Sequence, residues 1–252
     1  MSQFDAFARY YDADFGAFED DIPFYRELAR RCGGPILEPM CGSGRLLVSL
    51  ARAGYRLTGV DVSPTLLELA RARLAAAGLL GQVELQEADI RQVTLAGPFS
   101  LAIVAVNSLM HLATIADQLA ALGQIRAALR PEGLLALDLF NPDLRALAGH
   151  NNELVFDKLL TLADGTRVHK FVTQQADPTT QTIYVQFIYD ESDAEGRVRR
   201  SVLPFTMRWL YRYELEHLLA RAGFALEAVY GSYDLDEYSA TSELMLAVAR
   251  KM

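Results

Sequence analysis

The sequence has little cysteine, no long apolar run and no cationic stripe. Cys32 and Cys41 are its two cysteines, too few for a disulfide framework and in no metal-ligand pattern. Four histidines, His111, His150, His169 and His217, are scattered, and neither a His-x-x-x-His nor a paired-carboxylate pattern occurs, so no metal site is expected. No apolar run approaches the ~20 residues of a membrane span. The opening stretch, MSQFDAFARYYDADF, carries acids and aromatics instead of the basic region and apolar run of a secretory signal, so a reduced cytoplasm is the expected location. A net charge of −8 argues against a nucleic-acid backbone or an anionic membrane surface as the main partner. Arg197, Arg199 and Arg200 form the tightest cationic cluster and read as a solvated hairpin edge.

At 252 residues, 51% of them hydrophobic, the chain suits one α/β domain with an elaboration. Its organising stretch is Pro35 to Ser63, PILEPMCGSGRLLVSLARAGYRLTGVDVS. This reads as a short buried strand (Ile36, Leu37), a glycine turn (Cys41-Gly42-Ser43-Gly44), an amphipathic helix through Ala53 and a second strand ending on Asp61. Such a βαβ unit suits an adenosine-containing ligand: glycines admit close backbone approach, helix-end N–H groups face the ligand, and a carboxylate accepts the ribose hydroxyls. A dinucleotide fingerprint wants G-x-G-x-x-G, whereas Leu47 stands at the third glycine position. That favours a ligand without a pyrophosphate and disfavours an NAD-dependent oxidoreductase.

Glu38 precedes Gly42 by four residues and Asp61 follows Gly44 by seventeen. In this the stretch resembles motifs I and II of the class I S-adenosylmethionine (SAM) dependent methyltransferases, with Met40 standing where that family usually has its first glycine. The resemblance implies SAM as cofactor, with the turn Met40, Cys41, Gly42 and Gly44 against its methionine part and Asp61, beside Val62, on its ribose. It continues at Asp89-Ile90, where the family places an acid for the adenine amino group and an apolar residue over the ring. It ends in the segment Asn107 to His111, whose Asn107 and Ser108 belong to the same cofactor-lining set. Tyr10-Tyr11-Asp12 matches a signature that related methyltransferases place in a lid, which brings Tyr11 to the cofactor. The implied fold is α/β: a doubly wound, mostly parallel seven-stranded Rossmann-like sheet with an antiparallel last strand, plus a small antiparallel β insert.

Read in order, residues 1 to 25 carry eight aromatics that must pack on another part of the chain, as edge cover or as a lid. Pro23 starts a helix closed by Gly33-Gly34; Ser63-Pro64 starts another that Gly78 ends. A strand at Gln82 to Gln86 is followed by an unbroken apolar one, Leu101 to Val106. Ile115, Leu119, Leu122, Arg126 and Leu129 fall at helical spacing, broken by Pro131-Glu132-Gly133, and the fifth strand is expected at Leu134 to Phe140. Turn sequences at 163–166, 177–180 and 193–196 then separate alternating runs, a three- or four-stranded antiparallel insert laid across the active-site side. The expected organisation is one methyltransferase domain over 1–252. It comprises an aromatic lid and helix (1–30), a SAM-binding core (35–141), the insert (153–209) and a C-terminal return to the sheet (212–252).

Methyl transfer needs an acceptor lone pair held in line with the methyl and water excluded, so the implied enzyme acts mainly by positioning. The acceptor is expected to be a nitrogen or oxygen of a small molecule. His111 is the first candidate for a general base, following the fourth strand with an ordinary pKa near neutrality, and Asn107 is the second catalytic candidate. Asn107, Phe140, Asn141, Arg208, Trp209, Tyr211, Tyr230 and Tyr233 are candidates for the acceptor pocket. A non-catalytic SAM-binding regulator is the other reading, and the oligomeric state, a homodimer included, stays open.

Overall fold

Local pattern sorts the chain into two sheets. The computed structural model describes residues 3–143, 147 and 152–252; His150 lies outside them. A short 3-10 turn (Gln3–Phe7) leads into α1 (Ala8–Phe15) and α2 (Ile22–Cys32), followed by β1 (Ile36–Pro39), α3 (Arg45–Arg52), β2 (Leu57–Asp61), α4 (Pro64–Ala76), β3 (Val83–Glu87) and β4 (Phe99–Val104). A second 3-10 turn (Ser108–His111) precedes α5 (Ile115–Ala128) and β5 (Leu129–Phe140). Then come β6 (Val155–Thr161), β7 (Arg167–Asp177), β8 (Thr182–Ser192), β9 (Val198–Arg208), α6 (Arg212–Arg221), β10 (Phe224–Tyr230) and β11 (Leu244–Lys251).

Seven strands form one sheet in the order β10-β11-β5-β4-β1-β2-β3. All pairs are parallel except those of β11, which runs antiparallel to both β5 and β10. Strands β6 to β9 form a separate antiparallel sheet joined by hairpins. β4 is buried along its whole length, as an unbroken apolar run between helical layers must be. Because β1 is flanked by β2 on one side and β4 on the other, the chain reverses its direction of winding there. In open α/β sheets ligands bind outside the strand ends at such a switch point.

The leucine at the third glycine position has a structural answer. A Cβ on Gly59 in β2 would lie 2.6 Å from Leu47 Cδ1 and 2.9 Å from Cys41 Sγ, so here the strand supplies the small residue and the helix the large one. Ser63 caps α4 as expected, its Oγ accepting from the Leu66 N–H. One boundary differs from expectation. Leu129 ends the helical spacing but is extended, pairs with Phe99 and already belongs to β5, whose register then jumps to Leu101–Leu134 across Arg130 to Gly133. The residue before a proline is pushed out of the helical region, which moves the break upstream of Pro131.

The aromatic N-terminus packs on the inner face of the insert. Tyr10 stacks on Tyr189 with ring centroids 4.0 Å apart and donates to Glu191, which also receives both forks of Arg9. Asp14, buried at the end of α1, pairs with Lys158 and Lys170 and accepts from the Tyr189 hydroxyl. Of the cationic cluster, Arg197 pairs with Asp193 and Glu195, and Arg200 forks onto Asp190 within the hairpin.

Candidate functional site

The carboxyl ends of β1, β2, β3 and β4 open into a cavity of about 510 Å³, closed from above by the N-terminal aromatics and by β8 and β9. On the β1 side the backbone turns at Met40 (φ 59°), Gly42 (φ 53°) and Gly44 (φ 73°), and α3 begins at Arg45. Gly42 is required twice over. Its φ is left-handed, and a Cβ there would stand 2.8 Å from the Tyr11 hydroxyl. Asp61 at the tip of β2 holds this turn: one carboxylate oxygen accepts the Gly42 N–H at 2.8 Å, the other the Ser63 N–H at 2.9 Å. The Val62 N–H also faces this carboxylate, which retains acceptor capacity for a further donor.

Burial sets the electrostatics. Glu38 is 5% exposed, lines the cavity, and its Oε2 has no hydrogen-bond partner. Desolvation pushes its carboxyl up to about 8, against the pull of the nearby Arg45 guanidinium. Arg45 is committed to Asp21, whose buried carboxylate receives both its forks at 2.6 and 2.5 Å, and to the Phe18 carbonyl. Desolvation also raises Asp61, partly offset by its backbone donors. Asp89 has the opposite environment. The Arg91 guanidinium beside it holds its carboxyl below the usual range, and Arg91 also reaches Asp117 at 2.9 Å. Ile90 beside Asp89 is buried against the main core.

The exit of β4 is strained. Val106 (φ 49°) and Asn107 (φ 59°) are both left-handed, an outlier for a β-branched residue worth about 1–3 kcal/mol. The buried carboxylate of Asp138 on β5 accepts the Val106 N–H and the Tyr25 and Tyr233 hydroxyls, and so holds the loop in place. Asn107 is tied as well, its Oδ1 accepting the Phe140 N–H at 2.6 Å. Ser108 Oγ turns back to the Ala105 carbonyl. His111 packs against Phe4 and Phe205 with centroids 5.2 and 5.3 Å away. Its Nδ1 is buried without a partner, and desolvation lowers its pKa to about 4. The near-neutral pKa expected of a histidine base is therefore absent here.

Tyr11, Glu38, Met40, Cys41, Gly42, Asp61, Val62, Asp89, Ile90, Asn107, Ser108 and His111 all line the one cavity. Gly44 stands behind it, a Cβ there lying 3.0 Å from that of Ala70. The acceptor-side expectations are corrected with the exception of Asn107. Arg208 pairs with Glu214, Trp209 is fully buried, and Tyr211 precedes α6 on the surface. Tyr230 packs on Phe24, Tyr233 serves Asp138, and Asn141 bonds Ser242 and Tyr238. None of these, nor Phe140, lines the cavity; Phe4, Phe7, Phe187, Phe205 and Met207 do.

Residues 36–133 match the methyltransferase domain family. Over these residues the chain carries a methyltransferase domain, of the SAM-dependent kind. Over 225 residues it is 27% identical to a cypemycin N-terminal methyltransferase of a Streptomyces species, covering 87% of this chain and 84% of that one. Among solved structures it superposes on the CcbJ methyltransferase from Streptomyces caelestis with a TM-score of 0.79 at 25% identity, covering 92% of this chain and 94% of that one. An S-adenosylmethionine-dependent methyltransferase from Clostridium acetobutylicum shares the fold at 17% identity, with a TM-score of 0.81 and 99% of both chains covered.

Within the methyltransferase domain, three features escaped sequence reasoning. The Arg45–Asp21 pair beneath Glu38, the Asp138 anchor and the aromatic wall of β8 and β9 all join residues far apart in the chain. Asn107 suits its positive φ, whereas the positive φ of Val106 carries no sequence signal, since a β-branched residue avoids that region. Among the described residues no group of three or more His, Cys, Asp or Glu is placed to hold a metal ion. No described helix is long and apolar enough to cross a membrane.

Proposed function

We propose that the domain transfers a methyl group to a nitrogen or oxygen of a small molecule, holding SAM along the ends of β1 to β4 and the acceptor under the aromatic wall. One observation carries this. A single cavity joins the buried, unpartnered Glu38 oxygen and the Gly42–Asp61 turn on one side to apolar rings on the other. The residues fit the cofactor's chemistry. Glu38 offers an acceptor for a cationic or N–H group, Asp61 offers free lone pairs for hydroxyls, and Asp89-Ile90 offers an acceptor beside an apolar surface. Tyr11 sits over Gly42, and Met40, Cys41, Val62 and Ser108 complete the wall.

When bound, SAM supplies an electrophilic methyl together with its leaving group. The protein's part is to orient the acceptor and keep water out, and alignment of this kind is worth ~7 to 11 kcal/mol. His111, kept neutral by burial, acts as part of the wall and not as a proton store. An acidic chain with no cationic stripe supports a small acceptor over a nucleic acid. The test is incubation with SAM and a panel of small amines and hydroxyl compounds, followed by mass spectrometry of methylated product and S-adenosylhomocysteine (SAH). Methylated product with at least one small acceptor is the expected result. SAM binding with no product from any of them would favour the non-catalytic reading.

A further inference from the structure

The lining of the chamber beyond the cofactor wall is more selective than a generic apolar pocket. We infer that it receives a flat, uncharged aromatic acceptor bearing a hydroxyl or an arylamine nitrogen and excludes aliphatic ammonium compounds; this rests on the methyltransferase reading above. Phe7, Phe187 and Phe205 stand mutually edge to face, with centroids 5.8 Å (Phe7–Phe205), 4.8 Å (Phe187–Phe205) and 6.1 Å (Phe7–Phe187) apart. The His111 ring continues the wall at 5.3 Å from Phe205. Aromatic groups meet favourably at such separations, so a planar guest extends a contact pattern already present.

Charge argues in the same direction. The carboxylates that line the cavity are Glu38 and Asp61 at the turn, and Asp89 and Asp117, which share Arg91. Behind the rings, Asp14 is paired with Lys158 and Lys170, and Glu191 with Arg9. An ammonium placed among the phenylalanines would lose its water without gaining a counter-charge. A ring cage can hold a cation by its quadrupole alone. Here the protein's own cation takes that place, because Lys170 Nζ stands 3.9 Å from the Phe187 centroid and 5.2 Å from that of Phe15.

The test is calorimetric titration of the full chain, saturated with SAH, with 2-naphthol and with cyclohexylamine, a smaller aliphatic ring that carries a cation. We expect 2-naphthol to bind at least about tenfold more tightly than cyclohexylamine. Phe205→Leu should weaken 2-naphthol about fivefold while leaving SAH affinity within about twofold. Met207→Glu, at a half-buried lining position, should reverse the preference by supplying the missing counter-charge, and it keeps the inference testable if Phe205→Leu folds poorly. Cyclohexylamine binding as tightly as 2-naphthol to the parent chain, or an unmoved preference in Met207→Glu, would overturn the inference and leave the methyltransferase reading standing. Failure of SAH itself to bind would overturn both.

Discussion

His111 and Glu38 show how burial shifts two titratable groups in one cavity toward neutrality, with opposite consequences for pH. The unfolded chain takes a proton on His111 below about 6.5 that the folded chain refuses until about 4, so stability at this site falls as pH drops through that window. His111→Phe should therefore shrink the loss of stability between pH 7 and 5 by on the order of 2 kcal/mol, measured by denaturant unfolding. Glu38 works the other way. Its folded pKa of about 8 means that the folded chain keeps a proton which the unfolded chain has released, so stability falls as pH rises from about 5 to 8. Glu38→Gln should flatten that slope, gaining on the order of 3 kcal/mol over the parent at pH 8 without SAM. Parallel curves for variant and parent would show that neither group is desolvated as described. For the same reason the pH–rate profile should have no inflection near 6.5 from His111. The sequence placed both residues on the ligand side because Glu38 lies at the end of β1 and His111 follows β4. It could not show that His111 is shut in by rings, since Phe4 and Phe205 come from opposite ends of the chain.

At the scale of elements, α1 and the insert form one cap. Tyr10–Tyr189 stacking, Arg9–Glu191 and the Asp14 cluster join them across more than 140 residues of sequence. Lys170 is 3% exposed between Asp14 and Asp157, so removing it leaves buried charge uncompensated. Lys170→Met should cost about 3–5 kcal/mol of stability, and adding Asp14→Leu should return part of that. Of the eight N-terminal aromatics, Phe7, Tyr10 and Phe15 pack on the insert, Phe18 and Phe24 pack on Tyr233, and Phe4, Phe7, Tyr11, Phe15 and Phe18 line the cavity. Hydrogen exchange should therefore find α1 and β8 protected together, with and without SAM. Protection of α1 that appears only with SAM would separate lid from insert. Hairpins and βαβ units were legible because their turns and periods are local. The start of β5 at Leu129 was not, because its pairing with Phe99 overrides helical spacing, and α1 gave no hint of its partner.

Across the whole molecule, the site is where the sheet reverses its winding between β1 and β4. Strand ends that are far apart in sequence, Glu38, Asp61, Asp89 and Asn107, face one cavity there because parallel pairing aligns them. The resemblance to the methyltransferase motifs named these residues in the sequence, and the structure brings them to one cavity. The opposite wall of the cavity was less legible. It depends on how four insert strands register and which face meets α1, so Arg208 and the tyrosines near the insert exit lie off a cavity that Phe187, Phe205 and Met207 line. The central claim is that the Gly42–Asp61 turn is the SAM site, and calorimetric titration of SAM into the parent chain and Asp61→Asn tests it most directly. The isosteric amide keeps the shape but turns a donor toward groups that need an acceptor, weakening SAM by about 10- to 100-fold with one site per parent chain. Equal affinity of the two proteins for SAM would contradict the account.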